Sequence, residues 1–244
     1  MIAIYFKEIR GFFTSASGYL IIGLFLIINS LSLWTIDSQF NILNNGYANL
    51  DAFFLFSPII FLVFIPAICM RMFSEEYQNG TIELLLTKPI SVSGVIISKF
   101  MATCSLIFIA IIPTISYIFS LNLLIESNST IDFAAIIGSY IGLFMLSFSF
   151  ASIGLFCSSL TSNQIAAFLI SVTLNLIFFY GFEIISNTEI PTSISLFLEN
   201  LSISTHYFML SKGVVSLVDI IYFITICWVF IKSTEQIILN RLNH

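Results

Sequence analysis

Six long stretches of this 244-residue chain carry almost no charge. They lie at 19–36, 53–70, 92–121, 133–160, 165–185 and 220–238. Roughly twenty apolar residues at 1.5 Å rise each cross the hydrocarbon of a bilayer, so every stretch is long enough to span. The third and fourth exceed that length and have room to tilt. Only 9% of the residues are charged, against about 25% in a soluble domain, so a water-soluble fold lacks the charges to cover its surface. In lipid, only helices and closed barrels satisfy every backbone polar group. The apolar runs are unbroken rather than alternating, which selects helices. The expectation is an all-α, polytopic membrane protein with six transmembrane helices, forming a single domain over 1–244. The first run begins near Gly18 and has no small-x-small cleavage site after it. It is therefore expected to be a span and not a signal peptide.

The residues before it read differently. On a helical wheel Ile2, Tyr5, Phe6, Ile9, Phe12 and Phe13 share one face, with Lys7, Glu8, Arg10 and Gly11 opposite. This pattern predicts an interfacial helix lying flat on the membrane, with Lys7 and Arg10 on its polar side. Ile4 is the one misfit.

Charge placement orients the chain. With the N-terminus inside, Lys7, Arg10, Arg71, Lys88, Lys99, Lys232 and Arg241 fall in cytoplasmic segments, and only Lys212 falls outside. That asymmetry predicts both termini cytoplasmic. The link 161–164 is then a tight inner turn. The outer segment 186–219 is the longest connection, and its apolar clusters 194–198 and 207–210 are too short to span. They predict one or two short re-entrant helices before the last span. Pro113 is expected to kink the third span, and Pro58 and Pro66 lie in the second.

Several chemistries are excluded or disfavoured. No G-x-x-x-x-G-K-[ST] is present, so the chain has no phosphate-cradling loop for ATP hydrolysis. No H-E-x-x-H occurs, and Ser152 lacks the neighbouring glycine that an intramembrane serine protease wants. The cysteines Cys69, Cys104, Cys157 and Cys227 are widely spaced within apolar runs and show no metal or redox spacing. Eight Lys plus Arg without a basic cluster offer nothing to nucleic acid. Ionisable residues deep in the spans are scarce, and Glu183, Asp219, Lys232 and Glu235 sit near span ends, so no ion-coupling site stands out. A transporter of this kind takes its energy from a partner.

The polar break at 71–89 is where a partner has something to push. Asn79-Gly80 interrupts the helix, Thr81 suits an N-cap, Glu83 sits in the first turn, and Pro89 stops the helix. A short helix near 82–87 then displays Ile82, Leu85 and Leu86, with Glu75, Glu76 and Glu83 available to basic residues of a partner. Such a patch marks either a docking site or a loop resting on lipid; the residues alone leave both open.

The stretch from Glu75-Glu76 through Gly80-Thr81-Ile82-Glu83-Leu84-Leu85-Leu86 to Lys88-Pro89 resembles the segment after the second helix of type-2 ABC exporter permeases. Further blocks resemble the GldF subfamily, the gliding-motility-associated ABC transporter permease. These are Asn41-Ile42-Leu43, Gly46-Tyr47-Ala48, Phe53-Phe54, Ile65-Pro66-Ala67 and Met70-Arg71. Gly138-Ser139-Tyr140-Ile141-Gly142-Leu143, Ser158-Ser159-Leu160-Thr161, Asn163-Gln164-Ile165-Ala166-Ala167-Phe168, Ser211-Lys212-Gly213-Val214-Val215 and Asp219-Ile220-Ile221-Tyr222-Phe223 follow in order. One departure is Val218, where the family carries a basic residue before the aspartate; it puts a shared ion pair at Asp219 in doubt. The resemblance implies a type-2 exporter fold with a cytoplasmic coupling helix, in the bacterial inner membrane. It implies no cofactor on this chain, with ATP and magnesium on a GldA-like ATPase. The second permease half would be a GldG-like subunit or another copy of this chain. The implied ATPase-contact residues are Glu75, Glu76, Gly80, Thr81, Ile82, Glu83, Leu85 and Leu86, acting mechanically and not catalytically.

Overall fold

A computed structural model describes residues 1–44, 49–82, 90–124, 132–186 and 191–242. Among these residues there is helix and no strand. Six helical stretches are long and apolar enough to cross a membrane: Ala16–Trp34, Asp51–Gln78, Val92–Leu124, Phe133–Leu160, Gln164–Ser186 and Leu217–Arg241. Below they are spans 1 to 6.

Helix α1 (Ile2–Thr14) precedes span 1. Ile2 and Phe6 are exposed along it. Ile4, the misfit of the wheel, is buried, and α1 packs against the start of span 3. So α1 has two apolar surfaces, one outward and one seated on the bundle. It turns into α2 (Ala16–Trp34, span 1) through Ser15, whose backbone is extended. Gly18 is required at that elbow, because a Cβ there would lie 2.2 Å from the Phe12 carbonyl oxygen.

Span 2 begins as α3 (Asp51–Cys69) and carries Pro58 and Pro66 without losing its helical course. The short α4 (Ser74–Gln78) continues it. Span 3 is α5 (Val92–Ile111), a 3-10 turn at Ile112–Ile115, and α6 (Ser116–Leu124). The 3-10 turn contains Pro113, which removes one amide donor at the place where a kink was expected.

Span 4 is α7 (Phe133–Leu160), and it is the hub: spans 2, 3, 5 and 6 all pack on it. Small residues permit that crowding in a medium where burial of apolar surface gives no drive. Its serines hydrogen-bond back to their own helix: Ser147 donates to the Phe144 carbonyl, Ser152 to Ser149 and Ser159 to Phe156. Their hydroxyls are thereby satisfied without water.

Span 5 is α8 (Gln164–Leu176), a π turn at Ile177–Gly181, and α9 (Phe182–Ser186). Asn163 caps α8 by accepting from the Ile165 and Ala166 amides. The expected outer helices are two, α10 (Thr192–Glu199) and α11 (Ile203–Ser211). Helix α10 buries nothing, whereas α11 buries Ile203, Tyr207 and Leu210 against the bundle. The Tyr207 hydroxyl donates to the Phe54 carbonyl at 2.6 Å. Span 6 is α12 (Leu217–Leu242).

Candidate functional site

The segment after span 2 is the polar break singled out in the sequence, and it is held from four sides. Ser158, near the end of span 4, accepts the Phe73 and Ser74 amides at 3.0 and 3.2 Å and donates to the Met70 carbonyl at 3.1 Å. Ser74 bonds back to the same Met70 carbonyl. One buried hydroxyl thus ties three backbone groups at the place where α3 gives way to α4. From span 6, the Arg241 guanidinium lies 4.3 Å from the Tyr77 ring centroid and donates to the Leu160 carbonyl at 2.5 Å.

The other two sides meet at a charged cluster. Glu76 on α4 is buried, 2.7 Å from Lys7 of α1 and 3.1 Å from Lys99 of span 3. Lys99 is fully buried, and its ammonium also donates to Glu8 at 2.7 Å and to the Met72 carbonyl at 2.6 Å. A buried ammonium needs such partners, because an uncompensated charge in this medium is expensive. The Phe73 ring, 5.1 Å from the Lys99 nitrogen, covers it from one side. Burial alone works to lower the Lys7 ammonium's affinity for its proton. The Glu76 and Glu8 carboxylates outweigh it, and the net shift is upward.

These facts sort the residues expected at the break. Glu75 is exposed and, among the described residues, carries no ion pair. Glu76, expected to face a partner, is instead committed inside the chain to Lys7 and Lys99. Gly80 is exposed with φ +65°, the left-handed position that ends α4 after Asn79. Thr81 is exposed, already helical, and its hydroxyl lies 3.5 Å from the Glu76 carbonyl. Ile82 packs into the core and does not stand out from the surface. Glu83, Leu85 and Leu86, with the rest of the expected coupling helix, lie outside the described residues. On α1, Lys7 belongs to the cluster, while Arg10 is exposed.

Sequence reasoning missed Lys99, which it placed among the cytoplasmic charges. The available signal was a single lysine two turns inside an otherwise apolar helix. It also left Asp219 without a partner, given Val218. The partner is His206 of α11, whose Nδ1 lies 2.6 Å from the Asp219 carboxylate. His206 stacks on Tyr222 with ring centroids 3.9 Å apart. Thirteen residues separate the pair, and no spacing rule links them.

Among the described residues no group of three or more His, Cys, Asp or Glu is placed to hold a metal ion. The break is a segment bolted to α1 and to spans 3, 4 and 6, with Glu75, Gly80 and Thr81 exposed on it. A family model described as ABC-2 family transporter protein matches residues 2–231. No curated protein matches the chain.

Proposed function

The chain belongs to the ABC-2 family of transporter proteins, and on that premise we propose that its 71–89 break is the coupling element receiving force from an ABC ATPase. The chain is a membrane permease component of such a transporter, and the ATPase is a separate partner. On this reading ATP and magnesium bind the partner. Closure of its nucleotide-binding halves presses on the exposed residues Glu75, Gly80 and Thr81, together with Glu83, Leu85 and Leu86. The buried residues Glu76 and Ile82 then carry the movement inward.

The observation that carries the reading is the convergence of α1 and spans 3, 4 and 6 on α4 and its flanks. A displacement of α4 reaches all of them at once, because the joints are short hydrogen bonds and ion pairs. The remaining parts rest on the sequence resemblance: a GldF-like exporter with GldA-like and GldG-like partners or a second copy of itself. Its place is the inner membrane with both termini cytoplasmic, and its role is in gliding motility.

The test is co-purification. A tagged full-length chain expressed with its neighbouring ATPase gene is expected to retain that ATPase, and Glu83→Lys combined with Glu75→Lys is expected to release it. Unchanged retention in the double variant would remove the coupling role from this segment.

A further inference from the structure

A cleft of about 440 Å³ lies between α1, its elbow with α2 and the end of span 2. Lys7, Gly11, Ser15, Arg71 and Glu75 are among its walls. The charges in it are not all accounted for by one another. Lys7 and Lys99 neutralise Glu8 and Glu76. Arg71 pairs with no carboxylate among the described residues. Its Nε is buried without a hydrogen-bond partner, and its Nη1 reaches only the Ser15 hydroxyl, at 3.4 Å. Glu75, one helical turn further on, is exposed and not paired with it.

A half-buried guanidinium without a carboxylate is a fork without its anion. Through its two Nη groups arginine can donate to two oxygens of one planar or tetrahedral anion. Ser15 is the N-cap of α2 and holds its own hydroxyl toward the Phe12 carbonyl at 2.9 Å, with Ser17 Oγ at 3.1 Å. The cleft thus opens at the elbow where an amphipathic helix meets a span. Ile2 and Phe6 stand exposed on that helix, which suits the level of lipid headgroups. The anion in greatest supply at that level is the phosphate of the lipids themselves.

We propose that this cleft binds the phosphate of a membrane phospholipid from the leaflet in which α1 lies, with the Arg71 fork as its principal donor. The lipid acts as a wedge between the α1–α2 elbow and the end of span 2, beside the Glu76 cluster. The site rests on the chain being a membrane protein and not on the identity of its ATPase.

Native mass spectrometry of the detergent-purified full-length chain, titrated with a phosphatidylglycerol, tests it. Wild type is expected to retain one lipid more tightly than the rest. Arg71→Gln is expected to weaken that adduct about tenfold or more, the scale of a charge-assisted hydrogen bond. Arg71→Lys keeps the charge without the fork and is expected to weaken it severalfold; it decides the matter if Arg71→Gln does not fold. Arg10→Gln, on the exposed side of α1, is expected to bind as wild type does, and Glu75→Gln, which removes a carboxylate from the cleft wall, at least as tightly. Inorganic phosphate in excess is expected not to displace the lipid. Equal retention by wild type and both Arg71 variants overturns the site. So does equal loss in Arg10→Gln, or a tight adduct that appears only once Glu75 is neutralised. Displacement by inorganic phosphate overturns the lipid as its occupant. Loss of this adduct leaves ATPase retention unaffected, so the two proposals fail separately.

Discussion

In the most apolar 18 residues of spans 2, 3 and 4, 61%, 61% and 72% are buried inside the protein, whereas in those of spans 1, 5 and 6 the shares are 28%, 22% and 17%. Their hydropathies do not make that division: 2.6, 2.4 and 1.9 for the inner three, 1.9, 2.1 and 1.7 for the outer. A lipid tail and a protein interior are equally apolar solvents, so hydrophobicity identifies a span but not its neighbours. One thing that separates the two sets is where their lysines lie. The inner spans hold Lys99, Ser158 and the close approach at Gly154 inside the protein. The outer spans bury Asp219, paired with His206, but keep Lys232 with Glu235 at the surface.

Paired substitutions break this comparison if it is wrong. The largest contrast is between lysines. Lys99→Met leaves Glu8 and Glu76 without their buried cation, and a loss of about 3–5 kcal/mol is expected. Lys232→Met removes a half-exposed pair on the outer side of span 6 and is expected to cost less than about 1 kcal/mol. Denaturant unfolding of both variants in the same detergent compares them, and equal losses would dissolve the distinction.

Glycines sharpen it next. A Cβ at Gly154 of span 4 would lie 2.7 Å from Cys69 Cβ and 2.8 Å from its sulfur, while one at Gly23 of span 1 meets nothing within 4 Å. Gly154→Ala is expected to destabilise by about 1–3 kcal/mol through overpacking. Gly23→Ala is expected to be neutral or stabilising, because it relieves the cost of glycine in a helix. Thermal melts of the two variants give the sign.

The smallest effect is in pH. Lys7 holds its proton more tightly in the folded chain than its ordinary value of 10.5. Its stabilising contribution is therefore complete below that value and fades as pH rises through the higher, folded one. Stability measured between pH 7 and 10 is expected to be insensitive to Lys7→Met beyond a constant offset. A difference that shrinks already below pH 9 would contradict the pairing.

The helical class, the six spans and the irregularity at Pro113 were legible because proline and long apolar runs act locally. Span 4 runs over Phe133–Leu160 as expected. Ile4 was legible only as an anomaly, since the helical wheel assumes one apolar face and α1 has two neighbours. The Glu76–Lys99 and Asp219–His206 pairs were not legible, because each joins elements brought together by packing. Glu76 looked available in the sequence for the same reason: a carboxylate shows its charge there and not its partner.

The π turn at Ile177–Gly181 has no proline or glycine run to announce it. One residue more than an α-helix requires shifts the azimuth of everything beyond it by about 100°. Span 5 is therefore a helix in two phases, whose C-terminal end does not continue the stripe of its N-terminal end. The turn's Phe179 carbonyl accepts the Ser202 hydroxyl, and Glu183 just beyond it accepts Ser204. Helix α11 is thus registered to the second phase, and the spare residue sets the rotational alignment between the two ends of the span.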